Sequence, residues 1–326
     1  MLCRCDGGPV TDVKEVPPKA AGPAGAARWA SGTGLLLALV ATVVWSGSFV
    51  SARALHHTVP PVQAAFWRWI VAVAAVAPLA ARETWRQRAL IRRHLGFVTL
   101  AALLGITVYN TLVNQAGMST SAGQMGMIMA ASPVVMAVYE RLGGRRLGGR
   151  RIAGMAIACT GVLLLVGNGS LALHFAPGDL WMFAAMLSFA SYSALLRRRP
   201  AEIGQLAFLL ATFVLGALML APAFAVSVAV QGGFEPTAGT VGPLLYVGVL
   251  SSALAFFAWN RAVALIGATR TGIVYYLQPV CVAGLSFALL GESTGPVQIL
   301  CLVLILGGVA LGAGRVRERP AANVRT

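Results

Sequence analysis

Runs of about twenty apolar residues alternate along this chain with short stretches in which Arg, Gly, Pro and His collect. A run of that length carries a helix across a bilayer, and none shows the in–out alternation of a barrel strand. Ten such runs are predicted as helices, at residues 33–52, 61–81, 96–116, 121–140, 150–168, 177–196, 204–229, 241–260, 268–290 and 296–314. Their connections are short, so successive helices are expected as antiparallel neighbours. Residues 1–30 are rich in Pro, Gly and Ala without a hydrophobic period, which predicts a disordered cytoplasmic tail. A cleaved signal peptide is not expected, because the first apolar run begins near Gly34 and is long enough to span. Residues 315–326 read as a short basic tail.

The run at 268–292 departs from the others. It places Pro279 in the middle of an apolar helix, beside Tyr275, Tyr276 and Gln278. A proline there removes a backbone hydrogen bond that lipid cannot replace. The pattern has an earlier counterpart. At an offset of 146 residues, Ala122, Gly126 and Pro133 lie under Ala268, Gly272 and Pro279, and Asn114 lies under Asn260. Four identities at one offset point to an internal duplication, with halves at 31–170 and 176–314.

Composition narrows the class. The 326 residues are 58% hydrophobic and 11% charged, with a mean hydropathy of +0.78, too apolar for a soluble chain of this length. A net charge of +15 raises nucleic acid as a partner, but the positions of the charges argue for membrane orientation instead. With the N-terminus inside, 23 of the 25 basic residues fall on the cytoplasmic side. Arg53 lies in an outer loop and Arg68 inside the second run. Each half holds an odd number of helices, so the second enters the membrane upside down. The predicted fold is therefore an all-α polytopic membrane protein, ten transmembrane helices as two inverted five-helix repeats, with both termini cytoplasmic. Inverted repeats permit two packings whose exchange opens a central site to either side, which is the logic of a transporter. The five cysteines are odd in number and three lie in apolar runs, so no disulfide framework is implied.

These residues also resemble a known family, the EamA-type members of the drug/metabolite transporter superfamily. The matching pieces run from Trp45-Ser46-Gly47-Ser48-Phe49-Val50 and Phe66-Trp67-Arg68-Trp69 through Ser132-Pro133, Gly161-Val162-Leu163-Leu164 and Gly178-Asp179 to Gln278-Pro279, Gly291-Glu292 and Gly308-Val309. The resemblance covers nearly everything from the first helix to the tenth. It implies a central cavity surrounded by helices one to four and six to nine, with five and ten peripheral. It also implies transport of small metabolites, often export, in the cytoplasmic or inner membrane. One departure matters: Glu292 falls thirteen residues after Pro279, whereas the place thirteen after Pro133 is Arg146. Glu140, seven after the proline, is therefore not given the family's loop-glutamate role.

Several residues are candidates for the substrate cavity: Trp45 and Ser46 in the first helix, Asn110 in the third, Tyr192 in the sixth, Trp259 in the eighth, and Tyr275, Tyr276 and Gln278 in the ninth. Tyr275 and Gln278 are spaced to share a helix face and suit an aromatic or amphipathic ligand; packing on a neighbouring helix is the competing reading. Asn114 and Asn260 sit at corresponding helix ends, as gate latches or as plain end caps. Pro133 and Pro279 kink their helices, shaping a cavity or serving only the fold. Arg68, some six residues into its run, either snorkels to the headgroups or meets an anion. No Asp or Glu lies in the centre of a predicted helix, so exchange or passive transport is as open as proton coupling. Glu140 is the carboxylate to test, against an ion pair with Arg141 or Arg145.

A membrane-embedded enzyme is the rival of another class. The four histidines, His56, His57, His94 and His174, all fall in loops, and no nucleophile or phosphate-binding motif accompanies them. No cofactor and no metal are expected. Within transport, a drug or toxic-compound efflux carrier is the alternative to an amino-acid or metabolite exporter. The expected partners are a small-molecule substrate and the bilayer, with no nucleic acid. Gly154, Gly161, Gly307, Gly308 and Gly312 on helices five and ten offer a face for a homodimer.

Overall fold

The computed structural model describes residues 23–142, 148–166, 176–196, 198–266, 271 and 274–312. Among these, every regular element is a helix. Helix α1 is Pro23–Ala54, α2 Pro61–Arg86, α3 Arg88–Arg93 and α4 Leu95–Ala116. A broken pair follows, α5 (Ala122–Ala130) and α6 (Ser132–Leu142), then α7 (Gly149–Val166), α8 (Pro177–Leu196) and α9 (Gln205–Gln231). Helix α10 runs over 238–266, α11 is Gln278–Leu290 and α12 Pro296–Gly312.

Six helices among the described residues are long and apolar enough to cross a membrane, and shorter apolar helices accompany them at Ile152–Leu165, Gln278–Leu290 and Pro296–Gly312. Large apolar side chains such as Leu79, Val230, Phe287 and Val303 point outward, as lipid contact requires. Helix α1 starts at Pro23, where a proline suited to the first helical turn precedes helix-forming alanines. The rest of the predicted tails lies outside the described residues.

Two helices contain wide π-helical turns, at Leu103–Val108 in α4 and Tyr246–Leu254 in α10, and their last residues stand 146 positions apart. Two other helices are interrupted. The chain turns at Ala131 between α5 and α6, and at Tyr276 and Leu277 before α11, again at that offset for Ala131 and Leu277. Proline follows each turn by two residues, Pro279 in the first turn of α11, where its missing N–H is harmless.

Helix α1 packs on α10 and α11, α4 on α8, α2 on α9, α5 on α11, and α7 on α12. Small residues permit the closest approaches. A Cβ on Gly126 would meet Val282 of α11 at 2.9 Å, and one on Gly161 would meet Ile305 of α12 at 2.9 Å. Gly154 and Gly308 likewise face the partner helix's backbone within this chain. Four of the five glycines suggested for a homodimer, Gly154, Gly161, Gly308 and Gly312, thus lie in the α7–α12 contact.

Candidate functional site

Six of the cavity candidates come together where α1 and α10 meet the start of α11. The ring of Trp45 lies 5.2 Å from that of Trp259 and 6.0 Å from that of Tyr275, and the latter two are 5.6 Å apart. Phe256 closes the group edge-on to Trp45 at 5.3 Å. These separations suit tilted and edge-to-face aromatic packing. Trp45 is fixed by its indole N–H, which donates to the Ser251 carbonyl at 2.9 Å. A carbonyl carries two lone pairs, so Ser251 O can accept this bond beside any helical one. Ser46, one residue on, donates to Thr42 O at 2.7 Å and to Gln278 O at 3.3 Å, bonding α1 to the broken start of α11. A small cavity lies between the two helix breaks, lined by Ala130, Ser132, Tyr275, Tyr276, Gln278 and Pro279.

Arg68 belongs to the same neighbourhood. Instead of turning along α2 toward a headgroup, its guanidinium crosses to α10, where Nε and Nη2 each donate at 3.3 Å to Ser252 and Ser251. Ser251 also shares a hydrogen bond of 2.5 Å with Ser48 of α1. One serine therefore links Arg68, Ser48 and Trp45. Tyr246 crosses from α10 to donate to Val44 O at 2.7 Å, its ring passing over Gly47, where no side chain blocks it.

Asn110 and Tyr192 are placed elsewhere. Asn110 is buried and folds back on its own helix, donating to the Gly105 and Ile106 carbonyls in the π-helical turns at 3.2 and 3.0 Å. Tyr192 lies on Gly105 and belongs to a separate core with Val98, Ile203 and Phe208. Asn114 is half-buried near the end of α4. The side chains of Pro133, Glu140 and Asn260 lie outside the described residues.

The bundle end that carries the α1–α2 turn holds a second constellation. Gly291 adopts φ 67°, the left-handed conformation that ends a helix, and its N–H closes on Phe287 O at 3.1 Å. This turn brings Glu292 back over the end of α11. Its Oε1 accepts from Arg53 Nε at 2.9 Å, and its Oε2 accepts from the Ala122 backbone N–H at 3.1 Å and from Ser286 at 2.5 Å. The buried Asp179, in the first turn of α8, accepts from Thr120 at 3.0 Å and Gln124 at 2.8 Å. Two carboxylates from the second half of the sequence thus hold the entry to α5 in the first half. Sequence reading placed Glu292 in a loop and Asp179 at a helix start without connecting either to α5. The signal was there only in part, as Gly291-Glu292 and Gly178-Asp179, since neither pair names its partner.

The model of the EamA-like transporter family matches this chain twice, over residues 32–167 and residues 176–313. The chain belongs to the EamA-like transporter family. Membership makes it a multi-pass membrane transporter, and the family's partners are a small-molecule substrate and the lipid bilayer. The chain is similar to a probable terminal-alkyne amino-acid exporter of Streptantibioticus cattleyicolor, 29% identical over 86% of this chain and 95% of that one. It is also 26% identical to the uncharacterized transporter YyaM of Bacillus subtilis, over 79% of this chain and 86% of the relative. A protein of known crystal structure, 18% identical, shares the fold with a TM-score of 0.59 over 86% of this chain and 96% of the other.

Proposed function

We propose that this family member is a secondary carrier that exports amino acids or related small metabolites. It would work by alternating access between two inverted five-helix repeats in the cytoplasmic membrane, with both termini cytoplasmic. The observation that carries the reading is the pattern of helix contacts. Under the 146-residue offset, α2 corresponds to α9 and α7 to α12, and each of these pairs is in contact. The α1–α10 contact corresponds to the α8–α4 contact, so the main pairings map onto one another. The equivalent π-helical turns and helix breaks support the same reading, as does a family model that matches each half. Amino-acid export is favoured by the relative named as a probable amino-acid exporter.

The aromatic cluster and the cavity between the helix breaks lie where the halves meet, the place where a carrier of this design holds its cargo. Backbone interruptions at membrane depth are tolerated there because they line a cavity or are satisfied by other helices. Trp45, Trp259 and Tyr275 would supply apolar contact, and Ser46, Tyr276 and Gln278 polar contact. The residues around Glu292 and Asp179 would close one entrance.

Counterflow in proteoliposomes tests this. Vesicles preloaded with individual amino acids are expected to take up the same labelled compound, and Tyr275→Ala and Gln278→Ala to lose about 90% or more of that uptake while remaining folded. Unchanged uptake by both variants would remove the site from α11. Uptake confined to cationic drugs would replace the amino-acid reading with drug efflux, and no uptake of either class by folded protein would end the carrier reading.

A further inference from the structure

We infer that Arg68 is the receptor for a carboxylate on the cargo, an inference that rests on the carrier reading above. The transported compound is then a monoanion or zwitterion whose carboxylate meets this guanidinium while its apolar part lies against Trp45, Trp259 and Tyr275.

Depth is the first argument. Arg68 stands seven residues beyond the start of α2 at Pro61, about 10 Å along the helix at 1.5 Å per residue. A charge held there is costly and is retained where it has a counter-charge or a function. Arg68 has neither Asp nor Glu as an ion-pair partner among the described residues, where the ion pairs are Arg53 with Glu292 and His94 with Glu202. Its neighbours are neutral: the two serines, the phenols of Tyr109 and Tyr246, and the ring of Trp69, whose centroid is 5.3 Å from the guanidinium carbon.

Hydrogen-bond inventory is the second. A guanidinium offers five N–H donors, and two are matched among the described residues, both by hydroxyl contacts at 3.3 Å. Ser252 gives its own proton to Val247 O at 2.9 Å, and Ser251 shares a hydrogen bond with Ser48. The buried indole N–H of Trp69, the ring under the guanidinium, also lacks an acceptor. The neighbourhood thus holds unmatched donors and one net positive charge. A carboxylate supplies what is missing, two coplanar acceptor oxygens that fit the fork of an arginine and a single negative charge. A phosphate dianion would leave a charge uncompensated beside one cation.

Continuity is the third. Ser251 binds Arg68 through its hydroxyl and Trp45 through its carbonyl, so the anion receptor and the aromatic surface are one residue apart. A compound with a carboxylate and a short apolar or aromatic side chain spans both.

The test measures thermal unfolding of the full chain in neutral phosphatidylcholine nanodiscs, with a panel of aliphatic and aromatic L-amino acids, each paired with its carboxamide. At least one acid is expected to raise the melting temperature where its amide does not. Arg68→Gln should weaken that acid by about ten- to a hundredfold, and Arg68→Lys by less. Arg68→Gln without ligand should melt no lower than wild type, since it removes an uncompensated charge. Three results would overturn the inference: no acid shifting wild type, acids and amides acting alike, or Arg68→Gln responding as wild type does. A stabilisation that depends on Arg68 but appears only in phosphatidylglycerol nanodiscs would assign the site to a lipid phosphate and overturn it too. Counterflow separates this from the carrier reading: amino-acid transport by Arg68→Gln with the wild-type KM would keep the carrier and overturn its carboxylate receptor.

Discussion

The two charged regions of this molecule are built in opposite ways. At the α1–α2 end, Arg53 meets Glu292, Glu292 accepts two further hydrogen bonds, and Asp179 accepts from Thr120 and Gln124. In the middle, Arg68 has two long contacts to hydroxyls and no carboxylate among the described residues. Charges at the end are matched within the chain and tie segments far apart in sequence. The charge in the middle has no such match among the described residues, and the carboxylate proposed for the cargo would supply it. A carrier needs both: contacts strong enough to close an entrance, and a site whose missing partner arrives with the cargo.

Removing Glu292 breaks the comparison at its matched side. Glu292→Ala leaves Arg53 without its anion and the Ala122 N–H without its acceptor. Because the pair is only 26% and 22% exposed, the expected cost is about 2–4 kcal/mol. The melting temperature in detergent should fall, and a cysteine placed at Met118 on that end should react faster with a water-soluble maleimide. Arg68→Gln should do neither. Equal melting and labelling in Glu292→Ala and wild type would show that this contact does not hold the end closed.

Gly47 tests how the middle is shaped. A Cβ there would stand 2.6 Å from Cζ of Tyr246 and 2.9 Å from its Cε1, well inside contact distance. Gly47→Val must displace the ring and break its bond to Val44 O, at an expected cost of about 1–3 kcal/mol. Tyr246 borders Arg68, so KM for an amino-acid substrate in counterflow should rise more than the loss of stability explains. Gly47→Val combined with Tyr246→Ala should recover stability without recovering KM. Full recovery of both would mean that Tyr246 shapes nothing the cargo uses.

The contrast also explains what the sequence could tell. Apolar runs marked the helices because lipid imposes one rule on every residue of a span. The 146-residue offset located Pro133 and Pro279, and the chain turns two residues before each. Trp45, Ser46, Trp259, Tyr275 and Gln278 were legible as large or polar groups inside apolar runs, and they gather. Asn110 looked the same in sequence, yet it turns back on its own helix, because π-helical turns there expose carbonyls that no residue pattern announces. Ser251 and Ser252 were missed since small hydroxyls in a span are usually packing residues. Their role depends on Arg68, 183 and 184 positions away. The contacts of Glu292 and Asp179 were not legible for a related reason: their partners Arg53, Ala122, Thr120 and Gln124 are far away in sequence.

The smallest expected effect is the response of the matched end to acid. His56 sits in the α1–α2 turn, with Nδ1 donating to Arg53 O at 2.5 Å and its ring 3.6 Å from that of His57. Partial burial, then the Arg53 charge, lowers its pKa from the usual 6.5. The unfolded chain therefore binds this proton more readily than the folded one. His56 contributes its stability fully above about pH 6.5, and that contribution is lost as pH falls through the lower folded value. Protonation also places a second positive charge beside Arg53, weakening the hold on Glu292 from within its own turn. Melting temperature should decline on acidification below pH 6.5, and His56→Gln should make that decline shallower. Arg68→Gln should leave the slope as it is, because no charge in the middle of the bundle touches this turn. An acid slope identical in wild type and His56→Gln would exclude His56 as its source and leave the end matched at every pH the imidazole controls.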